Sequence, residues 1–526
     1  MRRRAALRCA ILFVNQENSI SFIMKKYLVL FLAIALFAAC GKDDDTATAT
    51  QQQPSVAPEP EPEPEPVVVE PGYLVSVTDS AFFSVQEFGN EVSNSAMVNY
   101  ADQFVEGSTA VLRPAIQNLV TARKPVLDAM FLARVGLDKS LRPQYRIESY
   151  VFTFNTLSAS GQPIVLSGRV TFPNNTVAGT AHELDTYTLF SHQYVMAADW
   201  VPSQCLSMMS LRSLYNSAVI EPDAQGYGST INSESVAFLS FNARARQLAD
   251  CVRAAQEIMQ RRDVRLSSSG YTTNWGSSLG APVALAFARY YDIMASENER
   301  KALRLKASYV GEGPLDYAAT LLYMDEHPTY RGAIASAFYG LGALSTEQLH
   351  GYEATDFMPQ WMSTAMVPWS DGEYSYFYAA AHVMAGYNRY SQRIKPDTMF
   401  INTLSADMYQ DNLRLDRDAP KTQMLMQILH EQGDWSGWKP QTTIYFAHAE
   451  ADDNIPCATV KDIYNQLRQQ AGTNKSKLHW LTVETDHNIA VNDLGLGPHY
   501  GPSIEAMMYM ALAYEPKDMT LFYHEN

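Results

Sequence analysis

The sequence predicts an α/β protein: a mostly parallel central sheet flanked by helices, interrupted once by a helical insertion. Two patterns carry this expectation. Short apolar runs of strand length recur along the chain, and apolar positions at helical spacing lie between them. Such alternation builds βαβ units, whose crossover helices cover the faces of a parallel sheet. The alternation then stops over residues 312–440, a helical and aromatic-rich stretch that reads as an insertion rather than part of the sheet.

The elements follow in order. Residues 100–140 read as helical. Tyr145–Asn155 and Pro163–Phe172 are strand-like runs joined through Ser158-Ala159-Ser160-Gly161-Gln162, a hairpin signal. Further strand candidates are Tyr187–Ser191, Ala218–Glu221, Tyr271–Trp275, Leu303–Tyr309, Thr442–His448 and Leu478–Glu484. Leu248, Val252, Ala255 and Met259 repeat at helical spacing, and Ala281–Tyr291 reads as a second helix. The insertion follows the sixth strand candidate, Leu303–Tyr309.

Composition narrows the function. The 526 residues are 47% hydrophobic and 18% charged, enough apolar material for a large core. A formal charge of −16 argues against a nucleic-acid partner, because phosphate binding needs a basic surface. Five cysteines in a chain of this size cannot form a disulfide scaffold, and their spacing matches no metal site. Whether Cys205 and Cys251 pair stays open at this point, while Cys457 reads as a small buried hydrophobe.

The first 40 residues read as an address. Two lysines, an apolar run from Tyr27 to Phe37 and the small residues before Cys40 make the three regions of a secretory signal. Translation from Met24 would give the better signal. Residues 1–40 hold six basic residues and one acid, so their removal leaves a net charge of −21. Residues 41–72 form an acidic linker in which Pro and Glu alternate from Pro58 to Pro66. Fixed φ and mutual repulsion extend such a segment, whose nine residues span about 28 Å at roughly 3.1 Å each. From residue 73 to 526 the composition is that of a single globular domain containing the insertion.

Chemistry concentrates in Gly276-Ser277-Ser278-Leu279-Gly280, a Gly-x-Ser-x-Gly run between a strand candidate and a helix. A serine at a tight strand-to-helix turn exposes its hydroxyl, and its neighbours must be small for the turn to close. A hydroxyl is a poor nucleophile until a base takes its proton, and that base needs an acid to orient it. Asp452 follows the strand candidate ending at His448, in Asp452-Asp453-Asn454-Ile455-Pro456; Asp453 is its alternative. His487 follows the last strand candidate, with Asp486 beside it read as solvated or a local brace rather than the orienting acid. Ser277 occupies the variable position of the motif and is set aside. His192 reads as a structural loop residue and His448 as the end of a buried strand.

The chain order Ser278, Asp452, His487 resembles that of α/β-hydrolases of the esterase and secretory-lipase kind, over roughly residues 145–515. Pro222-Asp223-Ala224-Gln225-Gly226-Tyr227-Gly228 is similar to the Pro-Asp-x-x-Gly-x-Gly turn after that fold's fourth strand. The position of Cys40 likewise resembles a bacterial lipoprotein signal, although Phe37 stands where Leu is usual. The first resemblance implies an α/β-hydrolase fold with a helical cap inserted after strand 6. It also implies a Ser278–His487–Asp452 triad and an oxyanion hole from the backbone N–H groups of Leu279 and Tyr194. Tyr194 lies in His192-Gln193-Tyr194, with Gln where that family has Gly. Trp361, Trp369, Tyr376 and Phe377 of the cap are the candidates for the substrate pocket.

The expected function is therefore a serine esterase acting on a small-molecule or glycan-linked ester. A peptidase, an acyltransferase and a catalytically silent ligand-binding lipoprotein are the alternatives. No metal or organic cofactor is expected. His430-Glu431 lacks the second histidine of a zinc helix, and no glycine-rich phosphate loop is present. The lipoprotein resemblance implies a membrane partner through lipid on Cys40, in a Gram-negative-type envelope. The expected location is the outer membrane, and the Lys42-Asp43-Asp44-Asp45 run resembles acidic signals that send some lipoproteins to the outer cell surface.

Overall fold

The computed structural model describes residues 72–92, 95, 146–175, 180–192, 201–231, 233, 236–237, 239–327, 420–452, 454–483 and 506–525, the last without 507, 508, 512 and 522. Ten strands form one sheet: β1 (Leu74–Ser84), β2 (Arg146–Leu157), β3 (Pro163–Asn174), β4 (His182–Ser191), β5 (Ser217–Pro222), β6 (Val264–Ser277), β7 (Leu305–Gly311), β8 (Thr443–Ala449), β9 (Leu478–Val483) and β10 (His524–Glu525). Helices α1 (Phe241–Arg261), α2 (Ala281–Arg289), α3 (Glu297–Leu303), α4 (Tyr317–Glu326), α5 (Pro420–Gln432) and α6 (Cys457–Ala471) lie between them.

The strand order is β1-β2-β3-β5-β4-β6-β7-β8-β9-β10. From β5 through β4 and β6 to β9 every pairing is parallel. The two ends are antiparallel: β1, β2 and β3 on one side, and β10 on the other. The expected hairpin is the β2–β3 pair, in unbroken register from Arg146↔Asn174 to Leu157↔Pro163. Two strands escaped the sequence reading. β1 carries little buried surface on either face, and β10 has only two residues. β6 also begins earlier than Tyr271, because its first half is a polar, serine-rich run.

After β4 the chain adds β5 on one side and then β6 on the other. That reversal makes a switch point at the carboxyl ends of β4 and β6, the place where open α/β sheets bind ligands. α1 and α2 cover one face of the sheet. Leu248, Val252, Ala255 and Met259 are all buried there, as their spacing predicts. A second core on the other face joins Trp275, Tyr309 and Tyr445 to Met510, Ala513 and Met519. Both flanks of the predicted insertion belong to the first core: Leu315, Tyr317 and Leu321 on one side, Leu425, Ile428 and Leu429 on the other. Residues 328–419, which hold the rest of it, lie outside the described residues, as do residues 100–140.

The start of the globular part is tied down firmly. Glu257 Oε1 accepts the backbone N–H groups of Gly72, Tyr73 and Leu74 at 3.2, 2.9 and 3.0 Å. Buried charges brace the sheet elsewhere. Arg212 donates to the carbonyls of Met510, Ala513 and Tyr514 and lies 4.4 Å over the Trp275 ring. It thereby holds the C-terminal segment against the strand that leads to Ser278. Arg169 pairs in register with Glu221 across β3 and β5. Its guanidinium donates to Pro202 O at 2.5 Å and Ser149 Oγ at 2.8 Å. Asp223 accepts Ser167 Oγ at 2.5 Å and Ser203 N at 3.0 Å.

Glu221 is inaccessible and accepts the Ser207 and Ser210 hydroxyls. Burial outweighs these bonds and the nearby Arg169, and pushes its carboxyl up to about 7. A folded value above the unfolded one means stability that is complete below pH about 4.5 and lost as pH rises through about 7. The loss amounts to about 3 kcal/mol. Urea unfolding of the wild type and Glu221→Gln at pH 5 and pH 8 checks this. The wild type should lose stability relative to the variant between the two conditions; a constant difference would refute it.

Candidate active site

β6 ends at Ser277, and the chain turns through Ser278–Gly280 directly into α2. Ser278 sits at φ 51, in the left-handed region that ordinary side chains seldom adopt. The turn has no room for bulk. A Cβ on Gly276 would lie 2.1 Å from Gly280 O, and one on Gly280 would lie 2.0 Å from Ser191 O. Gly280 therefore lets the turn press against the end of β4, beside His192. The expected strand–turn–helix setting of the motif is present.

α2 starts with Ala281 and Pro282, a first turn in which proline is favoured because its missing N–H would have no partner there. The helix places the positive end of its dipole behind Ser278. Asn274 Nδ2 donates to Ala284 O at 2.9 Å, pinning β6 to the helix that follows it. Ser277 is wholly buried, and its Oγ makes no hydrogen bond among the described residues.

The pairing of β6, β7 and β8 aligns the next parts of the site. Ser277 pairs with Gly311, and Gly311 with Ala447. Glu312 follows at φ 53, is 1% exposed, and donates its N–H to Ala447 O at 2.8 Å. A Cβ on Gly313 would lie 2.1 Å from Ser278 O, so only glycine allows the chain after β7 to pass the turn. Glu312 and Gly313 escaped the sequence reading, which assigned them to the insertion. Their signal was Gly311-Glu312-Gly313 directly after a strand candidate, a pair of glycines with a charge between them.

β8 ends at Ala449, and Asp452 stands three residues on, 2% exposed. Its Oδ1 accepts the N–H groups of Asn454 at 2.9 Å and Ile455 at 2.8 Å. Its own N–H bonds Ala449 O at 3.2 Å. This side-chain-capped turn fixes the carboxylate before Pro456 leads into α6. His448 is fully buried, as predicted, with Nε2 2.9 Å from Ile455 O and 3.4 Å from Asp452 Oδ2.

Ser278, Leu279 and Asp452 are thus described, each just past the carboxyl end of a parallel strand, with one strand between their two strands. His192 is buried at the end of β4. The other predicted residues, Cys40, Tyr194, Trp361, Trp369, Tyr376, Phe377 and His487, and the alternative acid Asp453, lie outside the described residues. No disulfide joins Cys205 to Cys251; Cys251 and Cys457 are buried thiols that burial pushes up. Among the described residues no cluster of His, Cys, Asp or Glu could hold a metal ion. Among the same residues no helix is long and apolar enough to cross a membrane.

No protein-family model and no curated protein matches the sequence. Solved structures do. The chain is similar to the rice cell wall degrading esterase LipA from Xanthomonas oryzae, at a TM-score of 0.54 and 17% identity, over 72% of this chain and 93% of that one. It is also similar to a candidate hydrolase from Legionella pneumophila, at a TM-score of 0.51 and 16% identity, over 72% of this chain and 90% of that one. With the sheet order above, these likenesses establish an α/β-hydrolase fold.

Two substitutions separate strain from crowding in the turn. Gly280→Ala has ordinary φ but drives a methyl into Ser191 O, and should cost about 1–3 kcal/mol. Ser278→Gly relieves the left-handed conformation and should leave stability unchanged or raise it by up to about 1 kcal/mol. Denaturant unfolding of both variants decides. Equal destabilisation of the two would contradict the geometry.

Proposed function

We propose that the protein is a serine hydrolase that cleaves carboxylic esters. The observation that carries this reading is Ser278, held at φ 51 in a Gly-x-Ser-x-Gly turn between β6 and α2. A left-handed non-glycine residue is strained, and such strain persists only where the surroundings enforce it. Its consequence is a hydroxyl lifted clear of the strand end, at the helix N-terminus and at the switch point of the sheet. The similarity to an esterase at 17% identity supports the fold of this reading, while the chemistry rests on the residues.

In this reading His487 takes the Ser278 Oγ proton as Oγ attacks the ester carbonyl. Asp452 orients the imidazole and stabilises the imidazolium that forms. Charge gathers on the carbonyl oxygen, where the backbone N–H groups of Leu279 and Tyr194 and the α2 dipole receive it. Collapse of the tetrahedral intermediate breaks the bond to the alkoxy oxygen, and His487 returns the proton to the leaving alcohol. Water, deprotonated by the same histidine, then releases the acid from the Ser278 ester. Asp452 is suited to its role because Oδ1 is committed to backbone N–H groups.

Trp361, Trp369, Tyr376 and Phe377 would line the substrate side and exclude water, and an aromatic wall suits a sugar-linked or aromatic ester as well as a lipid. Residues 24–40 and the Pro/Glu linker fit an exported lipoprotein held to a membrane by lipid on Cys40. In that case the linker sets the enzyme off the surface.

A fluorophosphonate probe should label the wild-type protein at Ser278 and fail to label Ser278→Ala. Nitrophenyl esters should be cleaved and peptide amides left intact. A folded wild type that the probe does not label would sink the assignment. For the anchor, the full chain should partition with membranes in a Gram-negative host, and Cys40→Ser should appear in the soluble fraction. Membrane retention of that variant would exclude lipid on Cys40 as the tether.

A further inference from the structure

The buried groups around the proposed triad include one that the mechanism does not use. His448 is the penultimate residue of β8, and its side chain is wholly inaccessible. Its Nε2 lies 2.9 Å from Ile455 O. A carbonyl only accepts, so the ring proton of this bond sits on Nε2. The same nitrogen lies 3.4 Å from Asp452 Oδ2, beyond a full hydrogen bond but well within electrostatic reach. Nδ1, on the far side of the ring, is buried with no hydrogen-bond partner among the described residues.

We infer that His448 is a positioning residue for Asp452, acting through an Nε2–H that donates to Ile455 O and closes the Ala449–Ile455 loop beside the carboxylate. The inference rests on the function proposed above. Three features support it. A residue that only filled this space would be better served by leucine, because burying the bare Nδ1 costs free energy that an apolar side chain avoids. The bond spans the loop from its base on β8 to Ile455, whose own N–H holds Asp452 Oδ1. Ring, carbonyl and carboxylate therefore form one closed arrangement. Finally, the ring lies on the Oδ2 side of the carboxylate, with Nε2 at 3.4 Å, whereas the backbone N–H groups take Oδ1. The loop that carries the carboxylate is thus closed by the ring through Ile455 O, and its Oδ1 is held by the N–H of the same residue.

A base presented by a tilted carboxylate still binds substrate but transfers its proton poorly. The effect should therefore fall on kcat and not on KM. Nitrophenyl ester hydrolysis by the full-length protein is compared for the wild type, His448→Leu, His448→Gln and Asp452→Asn. His448→Leu should lower kcat by about 10- to 100-fold with KM within about twofold, the range expected for misplacing a reacting group. His448→Gln, whose amide N–H can meet the same carbonyl, should recover most of the loss. In the Asp452→Asn background, His448→Leu should cost nothing further.

A folded His448→Leu protein with kcat within twofold of wild type would overturn the inference and leave His448 as packing. Where the leucine variant does not fold, His448→Gln against His448→Met gives the same contrast at similar length, and equal kcat values overturn it. The role of His448 and the proposed hydrolase activity fail on different outcomes. If Asp452→Asn loses activity and His448→Leu does not, only this inference falls. If Asp452→Asn matches the wild type, or the wild type hydrolyses no ester, the proposed function fails and the inference falls with it.

Discussion

Steric exclusion at the end of β6 governs the rest of the site. The turn at Ser278 has to pass between the β4 carbonyl of Ser191 and the chain leaving β7 at Gly313, and both approaches leave no space for a Cβ. Confined in this way, the backbone adopts φ 51 at a serine, a conformation it would not hold in isolation. The position of the hydroxyl, the start of α2 and the distance to the β4 end all follow from that confinement. An exposed, mobile serine would have none of these constraints and no fixed relation to its neighbours.

Around this turn the protein keeps several charged groups out of water. Arg169, Arg212, Glu221 and Asp223 are all buried, and each spends its bonds on chain segments rather than on a single opposite charge. Arg169 and Asp223 grip Pro202 and Ser203, just past the segment that leaves β4 at His192. Arg212 grips the C-terminal segment behind Trp275. Isolated buried charges cost more than they return, and the cost is tolerable only where every donor and acceptor is met. The arrangement fixes irregular chain on both flanks of the parallel strands, where backbone ladders cannot reach.

Much of the fold was legible because its signals are local. Eight strand candidates, the helical spacing of Leu248 to Met259 and the Gly-x-Ser-x-Gly run all depend on residues a few positions apart. What escaped depends on distant partners. β1 is amphipathic in neither sense and becomes a strand because β2 offers it an edge to pair with. Gly313 shows its purpose only when β7 is laid beside β6, thirty-odd residues earlier in the chain. Whether Cys205 and Cys251 pair could not be read from spacing at all, since disulfides form by proximity, and no disulfide joins them.

The sequence by itself determined the class of the sheet, the serine at the strand-to-helix turn and the placing of a carboxylate, Asp452, just past a strand. Each is written in a short motif whose physics is complete within it. Only the tertiary structure decided that β5 lies outside β4, which puts the switch point beside Ser278. It also decided that Glu312 and Gly313 belong to the rim of the site, and that a strand-end histidine meets the Asp452 loop. Those facts are contacts between segments far apart in the chain. Van der Waals exclusion and hydrogen-bond geometry select them during packing, and no local pattern of residues encodes them.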